Sequence, residues 1–203
     1  AWRLVTIGVV VVGALLVPFA IADSFLLFVI NTLLVFAILA VSLDILVGYT
    51  GYISLAHATF FGIGGYASAF LVLEYGVSQS VAFLGAILFV ALLSALVGLA
   101  SLRTSGIYFA IVTFAVAIIM ELLVGKLQFL GGSTGLAGVP LLEFGGFLFV
   151  EFEHYYYLFL VTLVLTLLMK WYFIASKTGR ALKAIREDEK LATSVGINTT
   201  KYK

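Results

Sequence analysis

Polar side chains that could contact a small solute are concentrated in one stretch of this apolar chain, from Gly48 to Tyr66. Five glycines occur in the same stretch, so a continuous helix facing lipid is not expected there. Transporters build solute paths from interrupted membrane helices, in which freed backbone groups line a cavity. The candidate translocation-path residues are Ser54, His57, Thr59, Gly62, Gly64 and Tyr66, with Asn31 added from the preceding helix.

The small residues after Phe61 have a second interpretation, because they also suit close packing between helices. Ala58, Gly62, Gly65 and Ala69 would together form such a small-residue face. Packing and a solute path are compatible, and the sequence leaves both open.

Outside the stretch from Gly48 to Tyr66, Asn31, Asp44 and Glu121 are polar residues that lie within predicted membrane spans. Asn31 lies deep in its span, where a hydrogen bond between helices is its expected role. Asp44 and Glu121 lie within about one turn of their helix ends, where placement at the membrane interface is expected. A chain of ionisable residues, as in a proton pump, is absent from the sequence.

Residue types for enzymatic catalysis are scarce. Cysteine is absent, and the two histidines, His57 and His154, are predicted on opposite sides of the membrane, which leaves little for a catalytic triad. The glycine-rich run from Gly131 to Pro140 lacks the Lys-Ser/Thr pair of a phosphate-binding loop, and a cluster of turns is its expected structure. We therefore predict a protein that is not an enzyme, with no catalytic residue, metal or cofactor on this chain.

The composition places these residues in a bilayer. Of 203 residues, 64% are hydrophobic and 10% charged, and the mean hydropathy is +1.24. Runs that are apolar on every face favour helices over a membrane barrel. We predict an all-α membrane protein, a bundle of about six transmembrane helices at 4–22, 25–48, 58–74, 80–101, 107–125 and 155–175.

The few charges predict the orientation of this bundle in the cell membrane. Basic residues follow the last span, and basic loops favour the cytoplasm. Residues 1–175 are then the transmembrane domain, 126–154 an external loop and 176–203 a cytoplasmic segment. Net charge is only +1, which gives no indication of nucleic-acid binding.

The cytoplasmic segment predicts one amphipathic helix of about four and a half turns. Thr178 is its expected N-cap, and Gly196 is expected in the left-handed conformation that follows a helix end. Its apolar stripe is narrow and lacks large side chains, and residues 187–189 form an acidic block. Binding to anionic lipid is one interpretation, but mixed charge with small residues favours the groove of a protein partner.

Three stretches together resemble the LivM-type permease of branched-chain amino-acid ABC importers. They are LAVSLDILVGYTGYISLAHATFFGIGGY from Leu39, GIYFAIVTFAVAIIMELL with GGSTGLAGVP between Gly106 and Pro140, and GRALKAIREDEKLATSVGIN from Gly179. The resemblance implies a permease subunit paired with a second, homologous permease subunit. It also implies two cytoplasmic ATPase subunits, which would bind ATP and Mg, and an external substrate-binding protein.

The tail resembles the loop through which importer permeases engage their ATPases, with Glu-Ala-Ala followed three residues later by Gly. Glu189, Ala192 and Gly196 match the outer frame of that pattern, while Lys190 and Leu191 depart from its interior. The coupling residues implied are Gly179, Arg180, Arg186, Glu187, Asp188, Glu189, Ala192 and Gly196. The family continues with further spans, so we expect this chain to be truncated at its C-terminus.

Two alternatives stay open at this stage. A closely similar importer could carry urea or a short amide instead of a branched-chain amino acid. A membrane scaffold subunit with no path of its own would share the same composition.

Overall fold

The structure, a computed structural model, describes residues 13–21, 23–101 and 107–199, and of residues 133, 144, 189 and 190 it describes the backbone alone. Helices account for most of this part of the chain. They are residues 13–20 (α1), Ser24–Ile45 (α2), His57–Tyr75 (α3), Gln79–Ser101 (α4), Ile107–Lys126 (α5), Phe152–Ala175 (α6), Lys177–Glu187 (α7) and Glu189–Ser194 (α8). A short antiparallel hairpin, β1 (Glu143–Phe144) and β2 (Phe147–Leu148), lies between α5 and α6.

The protein is an all-α membrane protein, as predicted. Four described helices are long and apolar enough to cross a bilayer: α2 together with the helical turn that follows it (Ser24–Thr50), α4, α5 and α6. They coincide with four of the six predicted spans. The predicted span 58–74 is a 19-residue helix, α3, whose glycines and polar residues keep it out of this group. The predicted span 4–22 lies largely outside the described residues.

Helices α2 and α6 form the most extensive helix pair. Near the start of both helices, the side-chain amide of the buried Asn31 donates a 2.9 Å hydrogen bond to the carbonyl oxygen of Phe152. Near their other ends, Lys170 of α6 forms an ion pair with Asp44 of α2. The two helices therefore run parallel, which agrees with the prediction that both cross the membrane in the same direction.

Helices α3 and α4 form a second close pair. Ala82 and Ala86 of α4 are buried in this contact region, and a side chain at Gly64 would lie 3.6 Å from Val90. Gly64 and the two alanines thus allow the two helices to approach, whereas a side chain at Gly62 or Gly65, of the predicted small-residue face, would meet nothing within 4 Å.

The connection between α5 and α6 is held against the start of α4. Gln79 donates a 2.8 Å hydrogen bond to the carbonyl oxygen of Pro140 and accepts a 2.5 Å hydrogen bond from the backbone N–H of Glu143. The glycine-rich run contains the short 3₁₀ turn Gly132–Thr134, preceded by another at Gln128–Leu130. This is the cluster of turns that the sequence predicted.

Candidate functional site

The regular α-helix α2 ends at Ile45, and the chain does not continue as an α-helix. Residues Leu46–Thr50 form a π-helical turn, and Gly51 then adopts a left-handed conformation with φ of 76°. Irregular backbone follows as far as Ala56, and α3 begins at His57. Single π-helical turns of this kind are frequently found at functional sites. We call residues 46–56 the broken segment.

The broken segment is narrower than the sequence indicated. The expected interruption extended to Tyr66, but residues 57–66 lie in α3 as continuous helix. The expectation was wrong for Gly62, Gly64 and Gly65 because none of them adopts positive φ, and an α-helix tolerates isolated glycines.

Hydrogen bonds hold the broken segment and the start of α3 against two different spans. The Oγ of Ser42, in α2, lies 2.7 Å from the Nε2 of His57. The backbone N–H of Leu55 donates a 3.1 Å hydrogen bond to the Oγ1 of Thr113, in α5. Thr113, Ser54 and Ala56 are buried, with 2%, 8% and 0% of their surface exposed. The segment is therefore an ordered connection between α2, α3 and α5.

The same segment is the docking surface of α7. The guanidinium group of Arg186 donates a hydrogen bond to the carbonyl oxygen of Gly48, and the ammonium group of Lys183 lies 4.9 Å from the ring centre of Tyr49. A side chain at Gly51 would lie 3.0 Å from the Cγ of Arg186, so the glycine allows the arginine stem to pass. Two cationic side chains of α7 thus hold the π-helical turn.

A tight corner sets the position of α7 relative to α6. The Oγ of Ser176 accepts a 3.1 Å hydrogen bond from the backbone N–H of Gly179, so Ser176 is the N-cap and Thr178, the predicted cap, is inside the helix. A side chain at Gly179 would lie 2.5 Å from the carbonyl oxygen of Phe173 and 2.7 Å from that of Ile174. Gly179 is therefore required by the close approach of the two backbones.

The predicted single helix from residue 179 to residue 196 is two helices. Asp188 adopts an extended conformation between α7 and α8, and its Oδ1 accepts a 3.0 Å hydrogen bond from the backbone N–H of Leu191. Aspartate is a strong N-cap and a weak helix former, which explains why the chain breaks inside the acidic block. Gly196 follows α8 with φ of 87°, which confirms the predicted helix end.

Most of the apolar face of α7 is covered by this chain itself. Ala181, Leu182 and Ile185 are at least 91% buried, and Ala192 of α8 is also buried. The groove partner expected for these small residues is thus supplied in part by the protein's own bundle. The apolar surface left open in the tail belongs to Leu191 and Val195, which are 64% and 69% exposed.

The predicted coupling residues fall into distinct positions. Gly179 and Ala192 are buried, while Arg180, Arg186, Glu187 and Asp188 are exposed. Arg180 donates a 2.6 Å hydrogen bond to the carbonyl oxygen of Ala175 at the corner. The side chain of Glu189 lies outside the described part of the structure. Their role in coupling to a partner stays a prediction.

The predicted path residues do not form one cluster. Ser54 and His57 lie at the broken segment, and Asn31 lies at the contact between α2 and α6, where it makes the interhelical hydrogen bond expected for it. Gly64 faces α4. Thr59, Gly62 and Tyr66 instead line a groove of about 510 Å³ between α3 and α5.

This α3–α5 groove is lined on its other side by α5. Phe114, Ile118, Glu121 and Gly125 recur at spacings of four, three and four residues, which places them on one helical face. Gly132, from the turns after α5, lies at one end. The volume falls within the range of small-molecule sites. The sequence indicated an interfacial role for Glu121, and its place beside three predicted path residues was not foreseen.

Three polar contact residues were missed from the sequence: Ser42, Thr113 and Lys170. Each is an isolated polar residue in an apolar span, and that isolation was the available signal. Lys170 is the one basic residue between positions 155 and 175. It lies near the end of α6 and pairs with Asp44 near the end of α2.

Comparison with known proteins gives a consistent result. The family model described as "Branched-chain amino acid transport system / permease component" matches residues 25–203. A protein of Salmonella typhimurium described as "High-affinity branched-chain amino acid transport system permease protein LivM" is 31% identical over 194 residues, covering 84% of this chain and 46% of that protein. The protein of the same description from Escherichia coli is 29% identical with the same coverage. The chain thus spans about half the length of these relatives. No solved structure matches it.

Proposed function

This chain belongs to the family of permease components of branched-chain amino acid transport systems, and we propose that it forms part of the translocation path of an ATP-driven importer. The solute we propose is a branched-chain or other hydrophobic amino acid, which the descriptions of the relatives support. ATP and Mg would be bound by a separate ATPase partner, and this chain would pass the resulting motion to the path.

The observation that carries the proposal is the contact between α7 and the broken segment. Arg186 bonds the carbonyl oxygen of Gly48, and Lys183 stacks on Tyr49, so α7 is attached to the interruption in the spans. The carbonyl oxygen of Gly48 is a suitable acceptor, because it belongs to the last turn of a helical run, where carbonyl groups have no partner within the helix.

The mechanism follows from the chain of contacts. When α7 moves, Arg186 carries Gly48 with it, and the movement reaches Ser54 and Leu55 through the short backbone that joins them. Leu55 is bonded to Thr113 of α5. His57, bonded to Ser42 of α2, begins α3. A displacement of α7 would therefore change the relative positions of the helices that line the α3–α5 groove, which is the change that alternating access needs.

The outer side of the tail is the proposed contact surface for the ATPase. The carboxylates of Glu187 and Asp188 are exposed there, and Leu191 and Val195 add exposed apolar surface. An apolar centre with a charged rim is the usual composition of a protein interface. The inner side of α7 is occupied by the chain's own bundle, so the two faces of the tail would serve two different contacts.

The remaining partners and the orientation are part of the same proposal. A homologous permease subunit would pack against the exposed apolar surfaces of the spans, and an external binding protein would deliver the solute. Basic residues cluster on and beside α7, so the positive-inside rule places this end of the bundle in the cytoplasm of the cell membrane.

Charge reversal at Arg186 tests the coupling. In the complete importer reconstituted in proteoliposomes, Arg186→Glu should lower the amount of amino acid taken up per ATP hydrolysed by about fivefold or more, as expected for loss of a typical coupling free energy. ATP hydrolysis itself should continue, because the contact that is removed lies within this chain.

Lys177→Glu is the matched control for that experiment. It makes the same change of charge on the exposed surface of the same helix, and Lys177 makes no contact with the broken segment among the described residues. Normal uptake per ATP in Arg186→Glu, or an equal loss in Lys177→Glu, would overturn the coupling route. A stable native complex without any ATPase would favour the scaffold alternative.

A further inference from the structure

A carboxylate lines the α3–α5 groove, and no cationic side chain among the described residues is paired with it. Glu121 lies on the wall formed by α5, and its side chain is exposed. The described part of the chain gives Glu121 neither an ion pair nor a hydrogen bond. Asp44, an acidic residue near the end of α2, is by contrast paired with Lys170.

An unpaired carboxylate on a membrane helix has a high free-energy cost, and such residues usually face water-filled cavities or mark a solute path. Glu121 lies about one and a half turns before Lys126, the last residue of α5, so the groove rather than the helix end provides its polar surroundings. The charge is therefore available for a cation that enters the groove.

The carboxylate and the aromatic wall occupy different parts of the groove. Tyr66 supplies a hydroxyl group from α3 at the end that carries Glu121, and Thr59 lies two turns earlier in α3, toward Phe114. Phe114 and Ile118 supply an aromatic ring and a branched side chain one to two turns earlier in α5. A solute with an ammonium group at one end and a branched hydrocarbon at the other would match this division.

The turns after α5 border the groove at the end that carries Glu121. A side chain at Gly135 would lie 3.4 Å from the hydroxyl oxygen of Tyr66, and Gly132 is itself a lining residue. The glycines allow the turns to approach α3 closely, so the site near Glu121 and Tyr66 is bordered by three separate elements: α3, α5 and the glycine-rich turns.

We propose that Glu121 binds the ammonium group of the transported solute and that Phe114 and Ile118 contact its hydrocarbon side chain. The proposal rests on the proposed transport function and adds the residue that selects for a primary amine. It also separates the two solute classes considered from the sequence, because urea and simple amides can donate N–H hydrogen bonds to a carboxylate but carry no positive charge to balance it.

Direct binding to the importer in nanodiscs, without its external binding protein, tests this assignment. Two probes differ only in the amine: leucinamide carries an ammonium group, and 4-methylpentanamide has the same skeleton without it. The wild-type protein should bind leucinamide about tenfold more tightly, as expected for a hydrogen bond to a charged group. Glu121→Gln should reduce this ratio to about one, and Glu121→Asp should keep part of it.

Glu74→Gln is the matched control, because Glu74 is an exposed carboxylate of α3 that does not line the groove. It should leave the ratio unchanged. An unchanged ratio in Glu121→Gln, or equal binding of both probes by the wild-type protein, would overturn the assignment. Failure of the wild-type importer to take up leucine would instead overturn the proposed function and the assignment together.

Discussion

The pair of α2 and α6 differs from the pair of α2 and α3 in how polar contacts are used. Along α2 and α6, a hydrogen bond at one end and an ion pair at the other join the same two helices, so they fix the pair as a unit. Around the broken segment, polar contacts join α2 to the start of α3, the segment to α5, and α7 to the π-helical turn. The first arrangement joins two helices as a frame, whereas the second is the one through which we propose that movement passes among several elements.

This difference predicts two classes of mutant. Loss of a polar contact in the α2–α6 pair should lower stability and leave coupling intact in the protein that remains folded. Loss of a contact at the broken segment should lower coupling more than stability. Three substitutions, in order of decreasing effect on stability, test the distinction.

Lys170→Ala should have the largest effect, because it leaves the carboxylate of Asp44 unpaired within a membrane span. We expect the free energy of unfolding to fall by up to about 3 kcal/mol, because an uncompensated charge costs about 2.5–3.5 kcal/mol at a helix centre and less toward the end, where Asp44 lies. Thermal unfolding in detergent, followed by tryptophan fluorescence, measures it. Adding Asp44→Asn should restore most of the loss, and a double mutant no more stable than Lys170→Ala would contradict this account.

Gly179→Ala should destabilise the protein by about 1–3 kcal/mol, because the new methyl group would overlap backbone carbonyl oxygens that have little freedom to move. The corner between α6 and α7 would have to open, so uptake per ATP should fall as well. Gly98→Ala is the control, since a side chain at Gly98 of α4 meets nothing within 4 Å. Equal unfolding temperatures for the two variants would show that the corner is not tight.

Thr113→Val should have the smallest effect on stability, about 1 kcal/mol, because it removes the acceptor for the backbone N–H of Leu55 at nearly constant volume. Its effect on uptake per ATP should exceed that of Lys170→Ala. Thr166→Val is the control, because the Thr166 hydroxyl bonds only the carbonyl oxygen of Thr162 in its own helix. A coupling defect of the same size in both variants would remove the distinction between the frame and the broken segment.

The long helices were predictable because one physical requirement determines them. The predicted spans 80–101 and 107–125 differ from α4 and α5 by one residue at most at each end. Apolar residues on every face and a length set by the bilayer leave few alternatives. The predicted start of α6 was three residues late, because Phe152, Glu153 and His154 form a first turn before the apolar run.

The polar contacts were less predictable because they depend on which helices are neighbours. Nothing near Ser42 in the sequence indicates that it meets His57, and Asp44 and Lys170 are separated by most of the chain. The break at Asp188 had a local signal, an aspartate three residues before the Leu191 N–H that it caps, but the apolar spacing on both sides favoured a continuous helix.

The residues of the candidate site were only partly predictable, because the site also depends on which helices are neighbours. Thr59, Gly62 and Tyr66 were identified as polar or small, and their spacing of three and four residues places them on one face of a helix. Gly64 is out of phase with that face and packs against α4 instead. Glu121 was noticed but assigned to the interface, because its neighbours in the groove come from α3, more than fifty positions earlier.

The Asp44–Lys170 pair has a consequence for how the protein is made. The two residues are 126 positions apart, so at a synthesis rate of about 5–20 residues per second, α2 exists for roughly 6–25 seconds before its partner is translated. During that interval the aspartate has no lysine to neutralise it and must stay near water or against the insertion machinery. The ion pair can form only after α6 has been made, so we expect the α2–α6 contact to form late and the bundle not to assemble in strict order of synthesis.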